Sequence, residues 1–449
     1  MRLFLPALWT SKFLDFLIKK VAPSRGSNYS GDKGLFLDPL MVSHFKGIDP
    51  DKVLFITGTN GKSSTTNLLN HILREQGLKI VSNTEGANLL PGIATSLSKA
   101  SDIKGNLSAD FYIFETDERY LPIIYKQLPA KHLLITNLQK DQVQRNGDPD
   151  FILRKFRGFI NKDMTLYLND DDPRSRSLED LAGKTCYFGV GKNSDSFTKG
   201  PDYPTLACEK CGDGIVFDYF NTDNVGRFTC PSCGYSSHEK RDMNIEGVHF
   251  EGRKFSAADS EFHMSHPLPY MLYNYSAGLL AAEKFAGINP SDTVSSFDTF
   301  KNIAGRYEEI PFGNKTIKYL RIKQENPDTL QNAINIVASD KNPKAVCIGL
   351  YKVSDFEPHY TNTFYTYDCD FKPLVDSETR EYLCFSETVA HDTAVRLKFE
   401  GVSEEIIKIQ PDEDIKTLLD NISRLESDNV YLITWLSSYD ELKKHTGGN

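Results

Sequence analysis

The chain has 449 residues, of which 39% are hydrophobic and 25% charged, with 21 prolines and 30 glycines scattered along it. This composition excludes a disordered or collagen-like chain, and the length exceeds one ordinary core, so two or three domains are expected. A formal charge of -9 gives no electrostatic support for nucleic acid as a partner.

The opening stretch, MRLFLPALWTSKFLDFLIKK, has an apolar run from Leu3 to Trp9 that Lys12 and Asp15 interrupt. A bilayer crossing needs about 20 apolar residues, so no transmembrane segment is expected. The preferred reading is an amphipathic helix packed on its own domain within an N-terminal segment, 1–45; a membrane-surface helix is the alternative.

Apolar runs of strand length then recur with helical segments between them: VLFIT (53–57), FYIFE (111–115), HLLIT (132–136) and TLYLN (165–169). Strands alternating with helices predict an α/β fold with a mostly parallel, doubly wound sheet. Residues 195–265 are polar, lack a long helical period and read as an inserted small module. From His266 to Phe300 a helical pattern returns, with Leu279, Leu280, Ala282 and Phe285 among its apolar positions, and rejoins the first core. Residues 46–304 are thus one expected domain. Beyond them, KYLRI (318–322), a helix from Asp328, AVCIGL (345–350), a helix around Ser386–Lys398 and VYLIT (430–434) predict a smaller α/β domain over 305–449. The hinge is expected at 301–312.

The strongest chemical signal is VLFITGTNGKSSTTNLLNHIL. A hydrophobic strand ends at Thr57, the turn Gly58-Thr59-Asn60-Gly61 follows, and Lys62, Ser63 and Ser64 open a helix whose buried face is Leu68, Leu69, Ile72 and Leu73. Phosphate chemistry accounts for each residue type. Glycines let backbone N–H groups approach the phosphates, the helix start adds positive potential, Lys62 neutralises β/γ oxygens, and Ser63 can hold magnesium. Ile56 stands where the full G-x-x-x-x-G-K-S pattern has glycine, but the flanking strand and helix are those the chemistry needs.

The second signal is CEKC at 208–211 with CPSCG at 230–234. Two such knuckles place Cys208, Cys211, Cys230 and Cys233 around one tetrahedral zinc, with Gly212 and Gly234 relieving the turns. Four sulfurs leave no open position, so the metal is structural, in a ribbon inserted at about 200–245. Metal-type cysteine spacing also points to a reducing cytoplasm. Cys186, Cys347, Cys369 and Cys384 are irregularly spaced and read as buried apolar residues.

Taken together, Gly26-Ser27, TGTNGKS, NTEGANLLPGIAT, ETDE at 115–118, TNLQKDQVQRNG at 136–147, LNDDDP at 168–173, the paired C-x-x-C, YMLYN at 270–274 and GRYE at 305–308 have an order and spacing that resemble the Mur ligases. Within that family the resemblance is to the MurT-like subunits, which amidate the D-glutamate of lipid II with ammonia from a GatD-like glutaminase. It implies an ATP-dependent ligase in which Lys62 and Ser63 bind the triphosphate and a first magnesium, and Glu115 supplies a metal-binding carboxylate. The residues agree, since a carboxylate at the C-terminal edge of a parallel sheet faces the phosphate crevice. Asp117 and Glu118 rank behind Glu115. Asn137, Asp141, Gln142 and Arg145 match the family's N-x-x-x-D-Q-x-x-R segment, and Asn274 and Arg306 match positions implicated in nucleotide binding. The resemblance also implies a lipid-linked peptidoglycan precursor as substrate, met at the inner face of the membrane.

In the C-terminal domain the outlines of the group's motifs are present: Gln-Glu-Asn-Pro at 324–327, NTFYTYDCDF at 362–371 and FSETVAHDTAVRLK at 385–398. Asn362 in the ungapped register, or Asp355 with a shift, takes the place of a family aspartate that completes the partner's Cys-His dyad. Val389 takes the place of a family arginine. Two alternatives stay open: a divergent Mur-like ligase joining another amine to another acid, and a non-catalytic ATP-binding scaffold of a glutaminase complex.

Overall fold

A computed structural model describes residues 3–21, 28–83, 87–140, 149–198, 206–222, 224–301, 307–322, 326–350, 363–375, 377–387, 389–435 and 439–447. Asp141, Gln142, Arg145, Arg306, Asp355 and Asn362 lie outside them. The chain divides into two compact units, one of 1–139 with 147–302 and the other of 140–146 with 303–449.

The first unit opens with α1 (Phe4–Val21), which sends Phe4, Ala7 and Leu8 into the core, and α2 (Tyr29–Leu37). Its sheet is built from β1 (Val53–Thr57), β2 (Ile80–Ser82), β3 (Phe111–Glu115), β4 (His132–Ile135), β5 (Thr165–Asn169) and β6 (Lys184–Val190). Between them run α3 (Lys62–Glu75), α4 (Leu90–Ala100), α5 (Leu121–Gln127) and α6 (Pro149–Arg157). The order β2-β3-β1-β4-β5-β6 is parallel throughout. Strands covered on both faces must be apolar at successive positions, which is why VLFIT and its counterparts are legible as runs. The register pairs Ile56 with Glu115 and Thr57 with Ile135, so the loops after β1, β3 and β4 leave the same edge together.

The inserted module holds a hairpin, β7 (Val216–Thr222) with β8 (Val225–Thr229), and a small core of Cys208, Ile215, Phe228, Cys230 and Tyr235. It is shorter than 195–265. β9 (Met243–His249) pairs parallel with β6, and β10 (Lys254–Ala257) and β11 (Ser260–His263) extend the same sheet antiparallel, giving nine strands. The outer half of β9 is exposed and β10 alternates exposed with buried positions, so their polar composition imitates a loop. After β11, α7 (Pro269–Lys284) is buried along almost its whole length and packs on α3 and β6. Gly278 permits that approach, since a Cβ there would lie 2.8 Å from the Leu68 side chain.

The second unit is a six-stranded sheet, β12 (Tyr307–Phe312), β13 (Lys315–Arg321), β14 (Lys344–Gly349), β15 (Thr379–Phe385), β16 (Ile407–Gln410) and β17 (Asn429–Thr434), ordered β12-β13-β17-β14-β15-β16. Only the β12–β13 pair is antiparallel. The helix from Asp328 is α8 (Pro327–Ser339), started by Asn326, whose side chain accepts from Thr329 N at 2.8 Å. The helix expected around 386–398 is α9 (Ala390–Phe399). Of the expected hinge at 301–312, residues 307–312 form β12 and 302–306 are outside the described residues.

Candidate functional site

β1 delivers the chain to Gly58 at the C-terminal edge of the first sheet, where two positive-φ glycines make the turn, Gly58 at 127° and Gly61 at 84°. Both are also sterically required. A Cβ on Gly58 would lie 2.4 Å from Thr136 Oγ1, and one on Gly61 2.2 Å from Asn274 Oδ1. Gly61 is the N-cap of α3, so Lys62, Ser63 and Ser64 occupy its first turn.

The loop is braced by the segment after β4. Asn137 clamps Asn60 through both amide atoms, accepting from its N at 2.9 Å and donating to its O at 3.0 Å. Thr136 Oγ1 also donates to Asn60 O, at 2.6 Å, and Thr59 N donates to Asn137 O at 2.9 Å. Thr59 Oγ1 donates to Gln139 O and accepts from Gln139 N. Asn274 on α7 lies beneath Gly61 and accepts from Thr65 Oγ1 at 3.3 Å. Asn137 and Asn274 therefore shape the loop, and their side chains are engaged with it.

The charged groups gather at the ends of β1 and β3. Lys62 Nζ folds back to the carbonyls of Gly58 and Thr59 and sits 3.4 Å from Glu118 Oε2. Glu115 is buried at the last position of β3, its backbone held by Asn83, which accepts from Glu115 N at 2.8 Å and donates to Glu115 O at 2.7 Å. Of the ETDE acids, Glu118 faces Lys62. Asp117 forms a two-pronged pair with Arg119, 3.0 and 2.9 Å; burial pushes its carboxyl up, and the guanidinium more than offsets this, leaving it below the usual range. Sequence reasoning ranked Glu118 behind Glu115 because nothing in ETDE says which acid meets Lys62.

A buried polar run, Asp170-Asp171-Asp172, follows β5. Asp170 accepts from Arg176 Nε (3.1 Å), Arg241 Nε (2.9 Å), His238 N and His238 Nδ1 (both 2.7 Å). Asp171 accepts from Arg241 Nη2 (2.5 Å), Val190 N (3.0 Å) and Tyr273 Oη (2.9 Å), and burial raises its carboxyl. Asp172 accepts from Leu138 N at 2.6 Å and Arg174 N at 3.1 Å, and burial pushes its carboxyl up to about 6. The first two acids thereby dock the cysteine module, and the third holds the segment that braces the glycine loop.

In the module the two knuckles are copies of each other. Gly212 N donates to Cys208 O at 2.8 Å and Gly234 N to Cys230 O at 2.9 Å, with positive φ at both glycines. The four Sγ atoms lie within 4.8 Å of one another, the 208–233 and 211–230 pairs at 3.6 Å. Four sulfurs about 2.3 Å from a tetrahedral zinc would stand about 3.8 Å apart, so the arrangement fits that ion.

The description Mur ligase middle domain matches residues 56–225, and MurT ligase C-terminal matches residues 324–438. Both matched domains are those of Mur ligases, and together they cover more than half of the chain. It is 26% identical, over 89% of each chain, to a Staphylococcus aureus protein named lipid II isoglutaminyl synthase (glutamine-hydrolyzing) subunit MurT. A Streptococcus pneumoniae protein of the same name is 25% identical over 94% of this chain and 92% of its own. Among solved structures, the fold is shared with a pseudomurein peptide ligase type C from Methanothermus fervidus, at TM-score 0.67 and 17% identity, over 90% of this chain and 80% of that one. It is shared too with MurF ligase from Thermotoga maritima in complex with ADP, at TM-score 0.58 and 16% identity, covering 93% and 84%. The C-terminal domain, of which sequence inspection found only outlines, thus falls within the MurT group.

Proposed function

We propose that the chain is the ATP-dependent ligase subunit that amidates the D-glutamate of lipid II to D-isoglutamine, with ammonia from a GatD-like glutaminase, in the cytoplasm. The observation that carries this reading is the convergence, at one sheet edge, of a braced glycine loop, Lys62 and the buried acids Glu115 and Glu118. The backbone N–H groups of Gly61–Ser63 at the start of the helix would face the phosphates, Lys62 would exchange Glu118 for the β/γ oxygens, and Ser63 with Glu115 would hold magnesium. When bound, ATP with magnesium supplies the phosphoryl group that turns a carboxylate into an acyl phosphate with release of ADP, and ammonia attacks its carbonyl carbon to form the amide and release phosphate. Among the described residues nothing donates a hydrogen bond to the Glu115 carboxylate, which suits a group reserved for a cation.

The partner and substrate rest on the names of the relatives and on the C-terminal match, whose span contains Asp355 and Asn362. The test supplies the chain and its glutaminase with lipid II, ATP and amide-labelled glutamine, and follows the label by mass spectrometry. Label should enter lipid II only when ATP and both proteins are present. A chain that forms no complex and joins its acceptor to free amine alone would replace this reading with the divergent-ligase one.

We further infer one structural zinc on Cys208, Cys211, Cys230 and Cys233. Elemental analysis of reduced protein should return about one zinc per chain, and Cys211→Ser should lose it and loosen the module. Metal-free protein with an intact module would refute the assignment.

A further inference from the structure

α1 is apolar on two faces. Phe4, Ala7 and Leu8 are buried in the core, whereas Leu5, Trp9, Phe13 and Phe16 recur at spacings of four and three and form an outward stripe that Lys20 continues. Trp9, Phe13 and Phe16 are 52%, 61% and 55% exposed, and Ile103, 68% exposed, joins them through Trp9 Nε1, which donates to Ile103 O at 2.8 Å. A helix with a core-facing stripe normally turns charge outward, so a contiguous aromatic surface implies an apolar contact.

We propose that this stripe is a docking surface for an anionic phospholipid bilayer, with α1 lying along the membrane surface. Charge and residue type select this occupant. Between Phe4 and Leu37, leaving aside Lys12, whose ammonium donates to Ser98 O and Ser101 O, the sequence has Lys19, Lys20, Arg25 and Lys33 against Asp15 and Asp32, a local excess of cations in a chain of net charge -9. Asp15 is paired with Lys19 and Lys99, at 3.2 and 3.3 Å, which leaves the stripe without an unpaired acid of its own helix. Lys20 Nζ stands 4.5 Å from the Phe16 ring, where its stem covers the ring and its charge can reach lipid phosphates. Trp and Phe beside lysine is the composition of helices lying in the interface. A second copy placed on the same face would set like charges together. No helix among the described residues is long and apolar enough to cross a membrane, which fits lying on it. This inference does not depend on the proposed reaction.

Flotation of the full chain with phosphatidylcholine vesicles, with and without phosphatidylglycerol, tests it in the absence of nucleotide. The chain has two tryptophans, so Trp435→Phe leaves Trp9 as the reporter. The chain should float with the anionic vesicles, less so at high salt, and Trp9 emission should shift to the blue. Trp9→Ser with Phe13→Ser and Phe16→Ser, all at exposed positions, should weaken partition about tenfold or more. Lys19→Glu with Lys20→Glu should remove the preference for phosphatidylglycerol. Failure of the parent to float, or equal flotation of the triple serine variant, would overturn the proposal. So would a parent dimer in solution that the serine variant dissociates.

Discussion

The glycine loop and the cysteine module sit on either side of Asp170–Asp172, and they are held by opposite means. The loop is fixed through its backbone, by Thr136, Asn137 and Gln139, with neutral hydrogen bonds that leave Lys62, Glu115 and Glu118 at its mouth. The module is held by charge: four sulfurs face one another inside it, and the buried acids Asp170 and Asp171 take up Arg176, Arg241 and His238 to fasten it. A site meant to exchange ligands keeps its reactive groups out of the scaffold. A structural site consumes them.

The largest expected effect sharpens the first half of that contrast. Lys62→Ala should cut ATP turnover by about 10²–10³-fold or more, because it removes the cation facing developing phosphate charge. Circular dichroism should be unchanged, since Thr136, Asn137 and Gln139 still brace the loop when the bonds from Lys62 Nζ to the Gly58 and Thr59 carbonyls are lost. Near-normal turnover in a folded variant would place the nucleotide elsewhere.

Breaking the second half calls for Arg241→Met. It leaves two buried carboxylates facing a thioether and should cost about 3–5 kcal/mol of stability. Arg241→Lys, which keeps the charge but not the fork, should cost less. A thermal melt in which Arg241→Met matches the parent would mean that Arg241 is not what fastens the module.

Asp172 joins the two halves, and its titration offers a pH test. Its carboxyl is raised to about 6 by burial in the folded state and is ordinary when unfolded. The folded chain therefore holds the extra proton between about pH 4 and pH 6, and stability from this group falls as pH rises through that window, by up to about 3 kcal/mol. Asp172→Asn cannot ionise, so its stability relative to the parent should improve from about pH 4 to about pH 6. A constant difference across the window would show that Asp172 is charged throughout.

The smallest effect belongs to the brace. Asn137→Ala frees the Asn60 backbone and should raise the KM for ATP about tenfold, with a stability loss of about 1 kcal/mol. A change in kcat with KM untouched would instead give Asn137 a place at the reacting atoms.

Much of this was legible in the sequence, for physical reasons that differ by region. VLFIT, FYIFE and TLYLN announce themselves because a parallel strand buried on both faces needs consecutive apolar residues, and Gly58, Gly61 and Lys62 because phosphate approach restricts residue type. The cysteine spacing is legible in the same way, because only two close pairs can set four thiolates around one tetrahedral centre. By contrast, β9–β11 were hidden by half-exposed, polar strands, and the match of Glu118 to Lys62 by a separation that only the β1–β3 register closes. Arg241 and His238 lie in a charged stretch that reads as solvated surface, since burial of a charge has no signature in composition. Asp170–Asp172 stood out only as part of a family motif, with no hint that one acid serves the loop and two serve the module.

The most direct measurement is a crystal structure with a non-hydrolysable ATP analogue and manganese, located by its anomalous signal. The expected result is the triphosphate over the backbone of Gly58–Ser63, Lys62 moved from Glu118 to the β/γ oxygens, and manganese in reach of both Ser63 Oγ and the Glu115 carboxylate. Triphosphate bound away from this loop, or manganese bound elsewhere with the Lys62–Glu118 pair intact, would contradict the assignment of this sheet edge as the nucleotide site.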